Sequence, residues 1–226
     1  MLTESNSPKA LGRLAGGLWL ACIVLSVAGY SLMKPLLAGR VEGGELAIRA
    51  GIVLNLLSGA VYLGATGVLY RLLKPVNDAA AFCAACFGLV GVTLGGISTL
   101  AMILPLNLIR AEVAGGTSLM TISVKASAIA AVIGMVFFGI QCMLVGALLA
   151  RSAFFPRVIG WLLSLGGLTY VIGSIVSLVD PSLGNRAMPV MMGVALVGEG
   201  AVAVRLALGI GKGAKSERVA TRVEFA

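Results

Sequence analysis

The sequence predicts an all-α fold: a polytopic integral membrane protein, a bundle of six transmembrane helices with short loops and both termini cytoplasmic. Three observations carry this. The 226 residues are 59% hydrophobic and only 12% charged, with a mean hydropathy of +1.04, which is too little polar surface to cover a soluble globule. The chain has 31 glycines, small residues that let helix backbones approach in lipid. Finally, apolar stretches of about 20 residues, the length that crosses a bilayer core, fill nearly the whole chain, so that 1–226 reads as a single membrane domain.

The first stretch covers 14–33. Lys9 and Arg13 precede it as in a signal peptide, but the run continues into Tyr30 and Met33, and no small-x-small site follows before Lys34 and Pro35. It is expected to stay as an uncleaved anchor. The second stretch, 50–72, ends at a tight turn over 73–78 that contains Lys74-Pro75-Val76-Asn77. The third, 79–106, is long enough to tilt or to continue past the interface. The fourth, 126–150, runs into a turn over 151–157 with Phe154-Phe155-Pro156-Arg157; both prolines lie where a helix must stop or start. The fifth and sixth cover 158–179 and 190–210, and a basic tail, 211–226, is expected in the cytoplasm. The segments 34–49 and 107–125 read as longer outer loops, with Gly43-Gly44 and Gly115-Gly116, and with Glu42 and Glu45 as solvated loop residues. There is no convincing internal repeat.

Orientation follows from the basic residues. With the N-terminus inside, the inner segments carry Lys9, Arg13, Arg71, Lys74, Arg151, Arg157, Arg205, Lys212, Lys215, Arg218 and Arg222, against Lys34, Arg40, Arg49, Arg110, Lys125 and Arg186 outside. That is the positive-inside bias. The net charge of +8 is therefore a matter of topology rather than of nucleic-acid binding. The tail can add contact with anionic lipid, at about 1 kcal/mol per basic residue near the surface.

Inside the spans the glycines show a packing pattern. Gly91 and Gly95 form a GxxxG with Gly88 on the same face, and Gly160/Ser164 and Gly173/Ser177 give similar faces on the fifth helix. These allow tight packing within the chain and equally a homo-oligomer.

Polar side chains at depth must find partners, because lipid offers none. The candidates are Asn55, Gln141 and Glu199, on the second, fourth and sixth helices. They define a candidate intramembrane polar site in which Glu199 is the protonatable or cation-binding group and the amides surround it. Read more simply, all three are interhelical glue. Arg205 lies six residues from Glu199, about 9 Å along the axis and on another face, so it is no intrahelical partner.

Cys22, Cys83, Cys86 and Cys142 fall inside spans, where cysteine behaves as a small hydrophobe. Cys83 and Cys86 match CxxC, but near the inner end, and two thiols without a second pair make no closed zinc site. The chain has no histidine, which removes bis-histidine haem, a histidine base and the usual zinc sites. There is no Walker loop, no GxGxxG ahead of a soluble fold and no GxSxG. No catalytic residue, metal site or cofactor is expected, and an enzyme is disfavoured.

Several stretches carry a resemblance: 12–20 in the first helix, 69–77 at the end of the second, Gly134-Met135-Val136-Phe137-Phe138-Gly139-Ile140-Gln141-Cys142 running on to 151–161, and Gly198-Glu199 in the last. Over almost its whole length the chain resembles the bacterial family catalogued as domain of unknown function 4386. The resemblance implies a six-helix inner-membrane protein with no established activity. It also implies, in many members, an acidic residue near 55 and a histidine near 141, where this chain has Asn55 and Gln141; Glu199 keeps the family residue.

Two functions fit. The first is a structural or accessory subunit, or an assembly partner, of a membrane complex, with the lipid bilayer, other membrane-protein subunits or a second copy as partners. The alternative is a small ion-coupled transporter or ligand-binding membrane protein with Glu199 at its site.

Overall fold

The computed structural model describes residues 7–37, 44–110 and 116–209; Arg40, Glu42, Gly43, Gly115 and the basic tail lie outside them. It contains α1 (Pro8–Leu37), α2 (Glu45–Leu73), α3 (Asp78–Arg110), α4 (Gly116–Arg151), α5 (Arg157–Val179) and α6 (Pro181–Ala207), and no strand among the described residues. All six are long and apolar enough to cross a membrane. The protein is a multi-pass membrane protein whose outward faces meet lipid.

The helices run past the apolar stretches, because hydropathy marks the depth of hydrocarbon whereas a helix ends where a cap or proline ends it. Ser7 starts α1, its Oγ accepting from Ala10 N at 3.2 Å, and α1 continues through Lys34 and Pro35. Asn77 starts α3 in the same way, accepting from Ala80 N at 2.9 Å. The largest difference is in α6, which begins at Pro181 rather than near Val190. Asp180 caps it, accepting from Ser182 N at 2.9 Å and Leu183 N at 3.1 Å, and Pro181 occupies a position where its missing N–H costs nothing. Arg186 thus lies on a helix, not in a loop, and Pro189 sits inside α6, where it removes one intrahelical hydrogen bond.

Each helix packs on its neighbours in sequence, and α1 against α6 closes the ring. The closure is tight: a Cβ on Gly16 of α1 would lie 2.6 Å from Ala203 O of α6, and one on Gly209 would lie 2.6 Å from Arg13 Nε. The start of α1 and the end of α6 therefore share one side of the membrane, here the termini face, with the α2–α3 and α4–α5 turns.

Most of the expected packing residues are taken up within the chain. Gly91 lies against the Phe138 ring, a Cβ there being 3.0 Å from it. Gly160 abuts the α4 backbone, 2.6 Å from Ala150 N by the same measure, and Gly173 abuts Met191 Sδ at 2.6 Å. Ser164 Oγ donates to Met143 O at 3.0 Å, and Ser177 Oγ to Gly173 O at 2.7 Å. Gly95 differs from Gly91, for a Cβ there would meet nothing within 4 Å.

Two apolar clusters fill the ring. The larger includes Ala15, Trp19, Leu69, Cys142, Leu149, Leu163 and Val202 and draws on all six helices. The smaller is built from Met33, Leu36, Ile48, Ile52, Met102 and Leu106 of α1, α2 and α3. It lies toward the face opposite the termini.

Candidate functional site

Glu199 lies on the inward face of α6. Ala195, Val202 and Leu206, one turn or two away on that face, are buried, while Glu199 itself keeps part of its surface accessible. Trp19 Nε1 on α1 donates to Glu199 Oε2 at 3.4 Å, and Tyr170 of α5 lies near the carboxyl. Three helices thus meet at one carboxyl. Gly198 makes the approach possible, since a Cβ there would lie 2.8 Å from Leu162 O.

The layer continues across the ring. Trp19 meets Tyr62 edge-on with ring centroids 6.3 Å apart, and Tyr62 meets Phe138 at 5.2 Å. The Tyr62 hydroxyl donates to Gln141 Oε1 at 2.8 Å, and Gln141 Nε2 donates to Thr66 Oγ1 at 3.2 Å. Gly88 of α3 makes room for that amide; a Cβ there would lie 2.5 Å from both Oε1 and Nε2 of Gln141. Glu199 and Gln141 are therefore linked through Trp19 and Tyr62.

Asn55 is not in this layer. It stands seven residues before Tyr62, about 10 Å along α2, donates to Gly51 O at 3.1 Å and packs against Gly29.

The layer is off-centre in the membrane. Counting along the helices at 1.5 Å per residue, Trp19, Tyr62, Gln141 and Glu199 lie about 12–16 Å from the helix ends on the termini face and about 25 Å or more from the opposite ends.

Four members of this layer are uncharged at neutral pH and so do not stand out in an apolar span: Trp19, Tyr62, Thr66 and Tyr170. One pattern does point to two of them. Along α2, Asn55, Ser58, Tyr62, Thr66 and Tyr70 recur every three or four residues, the repeat of one helix face. Above the layer this stripe continues through Ser58, whose Oγ lies 2.6 Å from Ser26 Oγ and 3.2 Å from Cys22 Sγ.

The chemistry around Glu199 is that of donors. The indole N–H of Trp19 is a donor that favours a carboxylate by a charge-assisted hydrogen bond, while burial opposes the charge. A metal cation would need further acceptor ligands, and among the described residues no group of three or more His, Cys, Asp or Glu side chains is placed to hold one. Cys22 and Cys142 are buried, whereas Cys83 and Cys86 are exposed on α3.

No curated protein and no solved structure matches the chain. A family profile described as domain of unknown function (DUF4386) matches residues 14–208. With that match over most of its length, the protein belongs to the DUF4386 family.

Proposed function

We propose that this protein is a small proton-coupled membrane carrier in which Glu199 takes up and releases a proton as α6 shifts against α1 and α5. The observation that carries the reading is the carboxyl itself, an ionisable group on the inward face of α6 that accepts from Trp19 of α1 beside Tyr170 of α5. Burial and the indole hydrogen bond act on its charge in opposite directions, which suits a group that changes state in a working cycle. Because Trp19 and Tyr170 come from the two helices that flank α6, a change at Glu199 alters both seams of that helix at once. Gln141 and Tyr62 extend the site across the ring, with Asn55 at the far end of the α2 stripe. The positive-inside bias supports cytoplasmic termini, and the family resemblance supports the bacterial inner membrane.

The test uses the two tryptophans. Trp161 faces lipid and is replaced by Phe, so that buried Trp19 alone reports on Glu199. In lipid nanodiscs the Trp19 emission is expected to change with pH, and to lose that change in Glu199→Gln. Emission that is flat with pH, or equally sensitive in Glu199→Gln, would refute the reading.

A second reading, an accessory subunit, is favoured by Gly193 and Gly200 of α6, where a Cβ would meet nothing within 4 Å. Outward glycines of this kind admit a neighbouring helix. Stoichiometric partner chains co-isolated with the protein in native-lipid discs would put this reading first.

A further inference from the structure

We infer that the end of the α5–α6 seam on the termini face binds the phosphate of an anionic membrane lipid, with Arg205 as its inner ligand and Arg157 and Arg151 at its rim.

The charges point there first. The carboxylates among the described residues are Glu45, Asp78, Asp180 and Glu199, and each is engaged elsewhere. Glu45 pairs with Arg49 at 2.7 Å, and Asp180 caps α6 on the opposite face. Asp78 takes Tyr70 and Lys74, and Glu199 accepts from Trp19. Arg151 at the end of α4, Arg157 at the start of α5 and Arg205 in the last turn of α6 therefore have no carboxylate partner among those residues. Arg151 and Arg157 are exposed, but Arg205 is partly buried. Its Nε is shut off from solvent and has no hydrogen-bond partner among the described residues. A guanidinium stays charged and carries five donors, so a shielded N–H on it calls for an anionic oxygen.

The backbone sets Arg205 at the head of α5. The two helices run antiparallel, with Gly198 against Leu162 and Gly166 against Ala195. Arg205 lies seven residues beyond Gly198, about 10 Å along α6 and on the same side of it. Arg157 lies five residues before Leu162, about 7.5 Å along α5, so Arg205 stands just past the first turn of that helix. Pro156 offers α5 no side-chain cap. The first amides bonded there are those of Ile159 and Gly160, both to Pro156 O. The amides of Arg157 and Val158 are left pointing out of the helix end, where the helix dipole also favours an anion.

The apolar surface below the arginines makes the anion a lipid's. From Arg157 the outer side of α5 continues through Trp161, Leu165 and Leu168, and α6 beside it presents Val204 and Val197, all at least 40% exposed. A tryptophan one turn from a basic residue marks the membrane–water interface. A phosphodiester held at the arginines would lay its acyl chains along this face, as anionic head groups do in basic pockets between helices. A free phosphate would use none of it.

Native mass spectrometry of the full chain, released from nanodiscs of mixed phosphatidylethanolamine and phosphatidylglycerol, tests this, with the melting temperature in each lipid alongside. A retained phosphatidylglycerol that raises the melting temperature is expected. Arg205→Gln should weaken its binding about tenfold. Arg205→Lys should weaken it less, since the charge stays and only the planar fork is lost, and Arg157→Gln, at an exposed position, should weaken it without disturbing the fold. Arg186→Gln, which removes the same charge from the opposite face, should leave binding unchanged. Equal losses for Arg186→Gln and Arg205→Gln would reduce the effect to net charge and overturn the site. Retention in Arg205→Gln that matches the parent chain would overturn it too, as would a melting temperature raised as much by inorganic phosphate as by phosphatidylglycerol. Loss of stability in Arg205→Gln that is the same in both lipids and is reproduced by Glu217→Gln or Glu224→Gln would assign the guanidinium to the tail instead.

Discussion

Replacing Gly160 by alanine sets two helix backbones against each other. The new Cβ would lie 2.6 Å from Ala150 N, 2.7 Å from Gly146 O and 3.0 Å from Ala150 Cα. These are backbone atoms of α4, with no rotamer to escape into. Since non-bonded heavy atoms sit comfortably at about 3.5 Å, α4 and α5 must part by something near 1 Å along a seam that Gly139, Gly146 and Gly167 also hold close. A gap of that size forfeits about a quarter to a half of each contact it opens, and overpacking typically costs about 1–3 kcal/mol. Alanine returns about 1 kcal/mol as the better helix former. The net expectation is a loss of up to about 2 kcal/mol. Gly95→Ala keeps only the favourable part, because its Cβ meets nothing within 4 Å, and should be neutral or stabilising by up to about 1 kcal/mol. Dodecyl sulfate titration of the detergent-solubilised protein reads both. Equal midpoints for the two variants, or a lower one for Gly95→Ala, would refute the packing argument.

Three further outcomes are expected. Gln141→Leu strands the Tyr62 hydroxyl and should cost about 1 kcal/mol, near the lower bound for an orphaned polar group because hydrogen bonds in membrane proteins are individually weak; adding Tyr62→Phe should recover most of that midpoint. Hydrogen bonds from Ser182 and the Leu183 backbone hold the Asp180 carboxyl below its ordinary value. The stability that this depressed carboxylate contributes is therefore present above its unfolded pKa of about 3.9 and is lost as pH falls through the lower folded value. Amide-exchange protection at Ser182 and Leu183 should hold from neutral pH down to about 4 and fall only in stronger acid, and Asp180→Ala should lack it throughout. A lipid-soluble maleimide applied to membranes should modify Cys83 and Cys86, which are exposed, and spare Cys22 and Cys142, which are buried; modification of Cys142 ahead of Cys83 would contradict the ring's packing.

The spans are legible because each is one long apolar run, and no tertiary contact is needed to see that. Helix ends are less so: the start of α6 depends on Asp180 and Pro181, two residues that hydropathy scores simply as polar loop. GxxxG spacing places Gly91 and Gly95 on one helix side but cannot say how wide the contact is, and the Phe138 ring fills the space over Gly91 while that over Gly95 stays open. Glu199 stands out as an ionisable group in a span. Its partner Trp19 is 180 residues away, beyond any local pattern, and Tyr170 looks from sequence like ordinary apolar bulk. Asn55 shows the converse, an amide at depth that the fold satisfies on its own helix through Gly51 O. The α2 stripe was visible in the spacing but muted, since Ser, Thr and Tyr weigh little against the surrounding leucines.

The α1–α6 seam also sets a clock on the making of this protein. At translation speeds of about 5–20 residues per second, roughly 10–40 s separate the synthesis of Trp19 from that of Glu199. Through that interval α1 can lean on α2, but the groove at Gly16 and the indole N–H have nothing to receive. Every later helix finds its neighbour already inserted, and only the last one completes two seams at once. A chain interrupted before α6 would carry an open edge in the bilayer, a signal that membrane quality control could read.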